Sequence, residues 1–510
     1  MSHRASLLAV ALSTLFAAAI VAAASAQPPK PSQPPRPEDI RQKNPGFLVR
    51  ADVNRALRSY RDGDALSLTV AAEADAYIYV LYKQADGKLF LIYPNSTQPH
   101  NRVKARQAVA IPASGDTFRW EIGPPFGKEI IKVIASKEPL QELADPSFRE
   151  KFFNAVAPRN LKGIELELGA NEIAWAEDCV EITTYAADNK EELAGARRIG
   201  LFIGLGEYEH QVSKTALTPE VEKMLRHYRP GHHDAQTLAS VMQEIGRLSE
   251  RRMLTNEQAT RDKVEEAFTR WLPSVSRPGD TVFIYFSGLT FPLSPGSDAT
   301  PANREVLLPL YNFVFPGVVQ TLEEKRQSGN ISRQDSQLLA LTQQLAARGG
   351  EAAVYRQWSI PEQLFAHWLQ GLAGRQVVVI LDAPYASAFG PGGFVPAAGW
   401  PTATPLAAGV ARLQDLGQRD IAMLGACGTS RFDVSRDPDT LSLMTELLVR
   451  SMQSAPGAVS LEQAHAEIVK KMQSRLAEIN EKLRAEGKEP EPPYQPYMVN
   501  TCTKPVMLKP

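Results

Sequence analysis

Cysteine is scarce in this 510-residue chain, which has only Cys179, Cys427 and Cys502. Three are too few for a disulfide scaffold, and the odd count leaves at least one thiol unpaired within a monomer. Net charge is also nearly absent: 56 Lys and Arg stand against 57 Asp and Glu, a balance of −1. No overall field therefore selects nucleic acid or an anionic membrane as partner. Beyond residue 26 no apolar run approaches the ~20 residues of a membrane span. What is there, 44% hydrophobic and 22% charged residues, is ordinary globular material. At roughly 150 residues per domain the length suggests about three domains.

The one long apolar run lies at the start. Arg4 supplies a positive beginning, apolar residues extend from Ala5 to about Ala24, and Ala24-Ser25-Ala26 offers a small-residue cleavage site. Residues 1–26 thus read as a bacterial-type secretory signal; the alternative is an uncleaved anchor. Cleavage would leave an exported protein, periplasmic or extracellular, with no membrane span. Residues 27–43 carry prolines at 28, 29, 31, 34, 35 and 37. Such a stretch favours extended polyproline II and reads as a tether, with docking to a proline-binding module as the alternative.

Residues 44–185 change to short runs of period-2 alternation broken by turns. Ala76 to Tyr82 and Leu89 to Tyr93 flank Asp86-Gly87, the pattern of a hairpin. Further strands are expected at Ala65–Val70, Ala108–Ile111, Thr117–Ile122, Glu129–Ala135, Ile164–Leu168 and Cys179–Tyr185, together an antiparallel β-sandwich. No acid/base constellation stands out, and His100 falls in a polar loop. Tyr60, Gly63-Asp64, Asp86-Gly87, Tyr93-Pro94-Asn95, Ile111-Pro112 and Pro124-Pro125-Phe126-Gly127 give this region a further character. It resembles a bacterial domain of unknown function found fused to caspase-like peptidases or protein kinases in exported proteins. The resemblance implies a binding or presentation module. Residues 186–196 read as a linker.

From Arg197 onward, apolar strands alternate with amphipathic helices, as in a parallel α/β sheet. Strands are expected at Ile199–Leu205, Arg252–Leu254, Thr281–Phe286, Val377–Leu381, Asp420–Leu424 and Tyr497–Val499. Helices are expected at Asp234–Glu244, after an N-capping Thr260, after a Ser359/Glu362 capping box, and at Leu441–Gln453 and Leu461–Ala485. Residues 319–350 read as a helical insertion. His232-His233-Asp234 lacks a third ligand at metal-binding spacing, so Asp234 reads as a helix cap and no metal site is expected. In such a sheet, chemistry sits beyond the carboxyl ends of the strands.

Several segments there carry a family likeness: Ile203 to Tyr208, His233-Asp234-Ala235, Leu254-Thr255-Asn256, Gly279-Asp280-Thr281, Tyr285-Phe286-Ser287-Gly288, Leu308-Pro309 and Ile380-Leu381-Asp382-Ala383. In order and spacing, residues 197–510 resemble the caspase and metacaspase superfamily, which implies a caspase-like α/β fold. The departures fall on the chemistry. Where active members place the general-base His-Gly, this chain has Leu289 and Thr290, and where they place the nucleophilic Cys it has Pro384. A cysteine peptidase needs a thiolate, a base and oxyanion donors. Leu289 moves no proton, and Pro384 has neither sulfur nor N–H.

The resemblance implies that Asp382 helps bind a basic substrate residue; the alternative is an acid that only accepts backbone hydrogen bonds. Glu207, Tyr208, His210, Ser287, Asp382 and Cys427 form the expected residual pocket, and Cys179 with Cys502 the expected disulfide after export. Calcium enters by family analogy alone, and no other cofactor is expected. The leading expectation is an exported pseudopeptidase binding a protein or peptide, with a basic residue as the recognised feature and without cleavage. Two alternatives stay open: an active cysteine endopeptidase rearranged around Cys427, and a structural envelope protein.

Overall fold

The computed structural model describes residues 36–170, 173–187, 195–210, 231–293, 305–315, 317–383, 412–426, 441–488, 490 and 496–510. The signal segment, Pro384 and Cys427 lie outside the described residues. The chain is mixed α/β, with several sheets and helices. No helix among the described residues is long and apolar enough to cross a membrane.

Alternating burial makes the first strands. Val49–Val53 and Leu68–Ala72 bury every second residue, so each offers one apolar face. With Val109–Ile111 they form a three-stranded antiparallel sheet. A second, seven-stranded sheet centres on Ala76–Lys83, Lys128–Ser136 and Trp175–Tyr185. Val70 and Ile111 from the first sheet meet Val80, Ile131 and Val180 from the second in one core. The expected hairpin forms: Lys83 lies opposite Leu89, and Gly87 turns the chain at φ +85, a conformation that suits glycine. The second sheet is not wholly antiparallel, because Ser59–Arg61 pairs in parallel with Trp175–Tyr185.

Two expectations for this region are corrected. Ile164–Leu168 is no strand but part of the helix Pro158–Ala170. The run Ile-Glu-Leu-Glu-Leu alternates at period 2, yet Leu161, Ile164 and Leu168 are buried while Leu166 is 59% exposed, which is the helical spacing. These residues cover the other face of the large sheet with Tyr79, Leu81 and Leu91. Ile40 joins them, 3% exposed, and Glu38 pairs with Lys83. The described end of the expected tether, residues 36–43, is therefore packed structure.

The inner strands of the C-terminal unit are buried over nearly their whole length, as the near-continuous apolar runs of a sheet covered on both faces require; the edge strand Glu250–Thr255 is largely exposed. The sheet runs in the order Glu250–Thr255, Arg198–Gly204, Thr281–Ser287, Gln376–Asp382, Ile421–Gly425, Tyr497–Asn500. The first five are parallel and the last antiparallel. One face is covered by the helices Gly231–Glu244, Leu443–Ser454 and Leu461–Ala485. The other is covered by Arg261–Glu266, continuing through a π turn at Ala267–Trp271, and by Glu362–Gln370. The insertion is a pair of helices, Val318–Gln327 and Arg333–Gln357, the second kinked at Gly349 and Gly350.

Local capping differs from expectation. Ser460 and Gln463 form a reciprocal capping box before Leu461–Ala485. Ser359 instead sits in a strand, Ser359–Pro361, and its Oγ donates to the Tyr355 carbonyl. Thr260 precedes its helix without a side-chain cap.

The two units meet in a polar seam. Leu48 inserts into the C-terminal core, Gln370 Nε2 donates to the Val49 carbonyl at 2.6 Å, and Arg412 grips both oxygens of Glu73 at 2.5 and 2.6 Å. Beneath these bonds Lys132 pairs with Glu177, and His367 Nε2 stands 3.2 Å from the other Glu177 oxygen. Lys132 and Glu177 are almost fully buried, so each charge depends on the other.

Candidate functional site

Three strand ends lie in one row. Parallel pairing sets Gly204 beside Ser287 and Ser287 beside Asp382. The helix Gly231–Glu244 abuts this row because neither Gly204 nor Gly231 has a side chain; a Cβ on Gly204 would collide with the Gly231 carbonyl. That close approach sets Asp234, in the first turn, over the strand ends. Asp234 is not a helix cap. Its Oδ2 accepts from Ser287 Oγ at 2.9 Å and its Oδ1 from the Ser442 N–H at 2.8 Å.

Ser442 joins a second acid to the first. Its Oγ donates to Asp382 Oδ2, which also accepts from Thr445 Oγ1 at 2.6 Å. Since Thr445 spends its one hydroxyl hydrogen there, the Tyr285 hydroxyl, 2.5 Å away, is the donor to Thr445. Ser442 is also the N-cap of Leu443–Ser454, so both carboxylates lie at the positive end of that helix. Asp234 is fully enclosed and Asp382 only 3% exposed.

This burial, followed by the neighbouring charge of Asp382, pushes the Asp234 carboxyl up to about 8. Asp382 is also raised by burial, against the pull of the Ser442 and Thr445 hydroxyls. At neutral pH the two carboxyls therefore hold a proton between them. Among the described residues no Lys or Arg pairs with either acid, whose partners are Ser287, Ser442 and Thr445. The arrangement is suited to receiving a cation: a guanidinium or ammonium would displace the proton and gain charge-assisted hydrogen bonds. Among the described residues no group of three or more acids, histidines or cysteines gathers.

The structure unites only part of the expected pocket. Ser287 and Asp382 are joined by Asp234, Ser442, Thr445 and Tyr285, which the sequence reading had not grouped with them. One signal was present: Tyr285 and Ser287 alternate at period 2 on one sheet face. Tyr208 belongs elsewhere, its hydroxyl accepting the Leu289 N–H at 3.3 Å and its phenol raised by burial. Leu289 is fully buried among Phe291, Phe313 and Phe315, and Thr290 is buried beside it. Glu207 is exposed, its N–H donating to Asn256. His210 lies 3.8 Å from Glu209, with burial lowering its pKa.

Cys179 and Cys502 do not pair: both are free thiols. Cys179 lies on a strand of the first unit opposite Lys132, while Cys502 packs against the core of the second. Burial pushes them up to about 11 and about 12, respectively, which leaves little thiolate on either.

A separate cleft of about 1090 Å³ opens at the seam, lined by Ile40, Trp175, His367 and Trp368 among others. None of the strand-end residues lines it.

A family model described as a domain of unknown function (DUF4384) matches residues 59–139. No curated protein matches the chain. Among solved structures, protein GSU0716 from Geobacter sulfurreducens is similar at 15% identity and a TM-score of 0.32, over 60% of this chain and 94% of that one. Caspase-1 from Spodoptera frugiperda is similar at 9% identity and a TM-score of 0.30, over 62% of this chain and 90% of that one.

Proposed function

We propose that this chain is an exported caspase-like pseudopeptidase that binds a protein or peptide through a basic side chain, without cutting it. The observation that carries the reading is the pair of buried carboxylates, Asp234 and Asp382, set at the strand ends with no cation among the described residues. An arginine or lysine side chain entering between them supplies the missing charge. The absence of cleavage follows from residue chemistry. Leu289 is a hydrocarbon side chain sealed in an aromatic cluster, and Pro384 offers neither thiolate nor amide hydrogen. The segment 1–26 supports export, to the periplasm or beyond. The reading requires neither calcium nor a cofactor.

The test pairs binding with turnover. Fluorescent peptides containing Arg or Lys should bind, and their neutral Gln counterparts should bind at least tenfold more weakly. Asp382→Asn should weaken the basic peptides by a similar factor. Affinity should rise as pH passes upward through about 8, because the Asp234 proton competes with the ligand. The same peptides should remain intact with and without calcium, and a thiol-directed probe should find no activated cysteine. Turnover that disappears in Cys427→Ala would replace this reading with that of an active peptidase.

A further inference from the structure

The cleft at the seam is walled by both units. The strap of residues 36–43 and the helix Pro158–Ala170 contribute from one, and the helices Arg261–Glu266, with its π turn, and Glu362–Gln370 from the other. Leu168, Trp175, Leu364 and Trp368 give it an apolar lining. The strap is fastened at several points. Glu38 pairs with Lys83, Arg36 Nε donates to Asp39 Oδ2 at 2.8 Å, and Gln42 Nε2 donates to the Trp175 carbonyl at 3.4 Å. The cleft is therefore preformed, which spares a ligand the entropy of ordering it. Its volume of about 1090 Å³ lies at the upper end of the ~300–1,000 Å³ typical of ligand sites. That is room for several peptide residues and far more than an inorganic ion needs.

The charges around it are unevenly committed. Six acids line the cleft, and five of them are in ion pairs. Besides Glu38 and Asp39 in the strap, Glu165 is held by Lys162 at 2.7 Å, Glu265 by Arg261 at 3.5 Å and Glu266 by Arg252 at 2.6 Å. Of the four lining cations only Arg36 is paired. Arg41 and Lys43 on the strap and Arg270 on the opposite helix are exposed, without an ion pair among the described residues. The remaining acid, Asp262, lies about two turns from Arg270 on the same helix, ~12 Å by helical rise. That exceeds the ~8 Å over which exposed charges act at physiological salt, so Asp262 leaves Arg270 uncompensated.

We propose that this cleft binds an acidic peptide segment of a partner protein, its carboxylates reaching Arg41, Lys43 and Arg270 and its apolar side chains covering Leu168, Trp175 and Trp368. Spaced carboxylates suit this lining better than the continuous charge of a nucleic acid, which would also face Glu265 and Glu266. A peptide held between the strap and Arg270 touches both units at once, so its binding stabilises their docking.

The test uses the full chain and fluorescent peptides in which Asp or Glu alternates with Leu, against counterparts carrying Asn and Gln. The acidic peptides should bind about tenfold more tightly, the scale of charge-assisted hydrogen bonds, and should raise the unfolding midpoint. Arg41→Gln and Arg270→Gln should each weaken them about fivefold, while Lys128→Gln, an exposed cation outside the cleft, should not. Gly169→Trp supplies a plug. Gly169 lines the cleft from its helix, and a Cβ there meets nothing within 4 Å, so the indole fills open space and should abolish binding. Basic peptides directed at the strand ends should bind Gly169→Trp as they bind the unmutated chain, which shows that the variant is folded and lets the two sites fail separately. Equal binding of acidic and neutral peptides, binding that survives Gly169→Trp or both arginine variants, or tighter binding of a single-stranded oligonucleotide would each overturn the proposal.

Discussion

Two buried carboxylate sites in this molecule face opposite ways in charge. At the seam, burial alone would raise Glu177, but Lys132 and His367 pull its carboxyl far below the ordinary range. At the strand ends, Asp234 meets another acid instead of a base and is pushed up to about 8. The burial is nearly equal, so the sign of the shift is set by the neighbour. The difference is one of partners: Glu177 meets Lys132 and His367, whereas Asp234 and Asp382 meet no cation among the described residues. Under the proposed reading, a basic ligand supplies the charge that the described residues do not.

The contrast can be broken most forcefully at the seam. Glu177→Gln leaves Lys132 buried beside a neutral amide and should cost about 3–5 kcal/mol, the scale for removing one member of a buried pair. Chemical denaturation of the full chain measures it.

At the strand ends the same kind of change should act in the other direction. The folded Asp234 pKa, about 8, exceeds the ordinary value of 3.8. Its stabilising contribution is thus fully present below pH ~4 and is lost as pH rises through about 8. Asp234→Asn keeps the shape and removes the charge. It should raise the melting temperature at pH 8 by roughly 2–4 °C for each ~1 kcal/mol relieved, and it should flatten the decline between pH 5 and pH 8. Melting curves at several pH values would show whether wild type and variant converge at the acidic end.

The smallest effect should come from Ser287→Ala. Deleting the hydroxyl that donates to Asp234 should cost about 1 kcal/mol and move the Asp234 pKa further up. Carbon-13 titration of the Asp carboxyl resonances reads that displacement, and an unmoved pKa would count against the hydrogen bond.

Much of the C-terminal fold was legible. Continuous apolar runs at Ile199–Leu205 and Val377–Leu381 became the strands Arg198–Gly204 and Gln376–Asp382. The helix Leu461–Ala485 appeared with its expected limits, because its apolar stripe and capping residues agree. Ile164–Leu168 misled because alternating Glu and Leu fit a strand locally, while the core selected the i, i+3, i+7 set that includes Leu161. The candidate site was half legible. Asp382 stood out at a strand end, but Asp234 read as a cap because its partners, Ser287 and Ser442, lie 53 and 208 residues away.

The sequence by itself determined the apolar strands of the parallel sheet and the hairpin about Gly87. Those properties belong to single residues or to short periodic runs, and no distant partner alters them. Tertiary structure alone decided that two acids share one enclosure and that Cys179 and Cys502 stay apart. Each depends on the distance between groups far apart in the chain and on how much water is excluded around them. Coulomb energy and desolvation respond to those two quantities, and neither is written in the order of the residues.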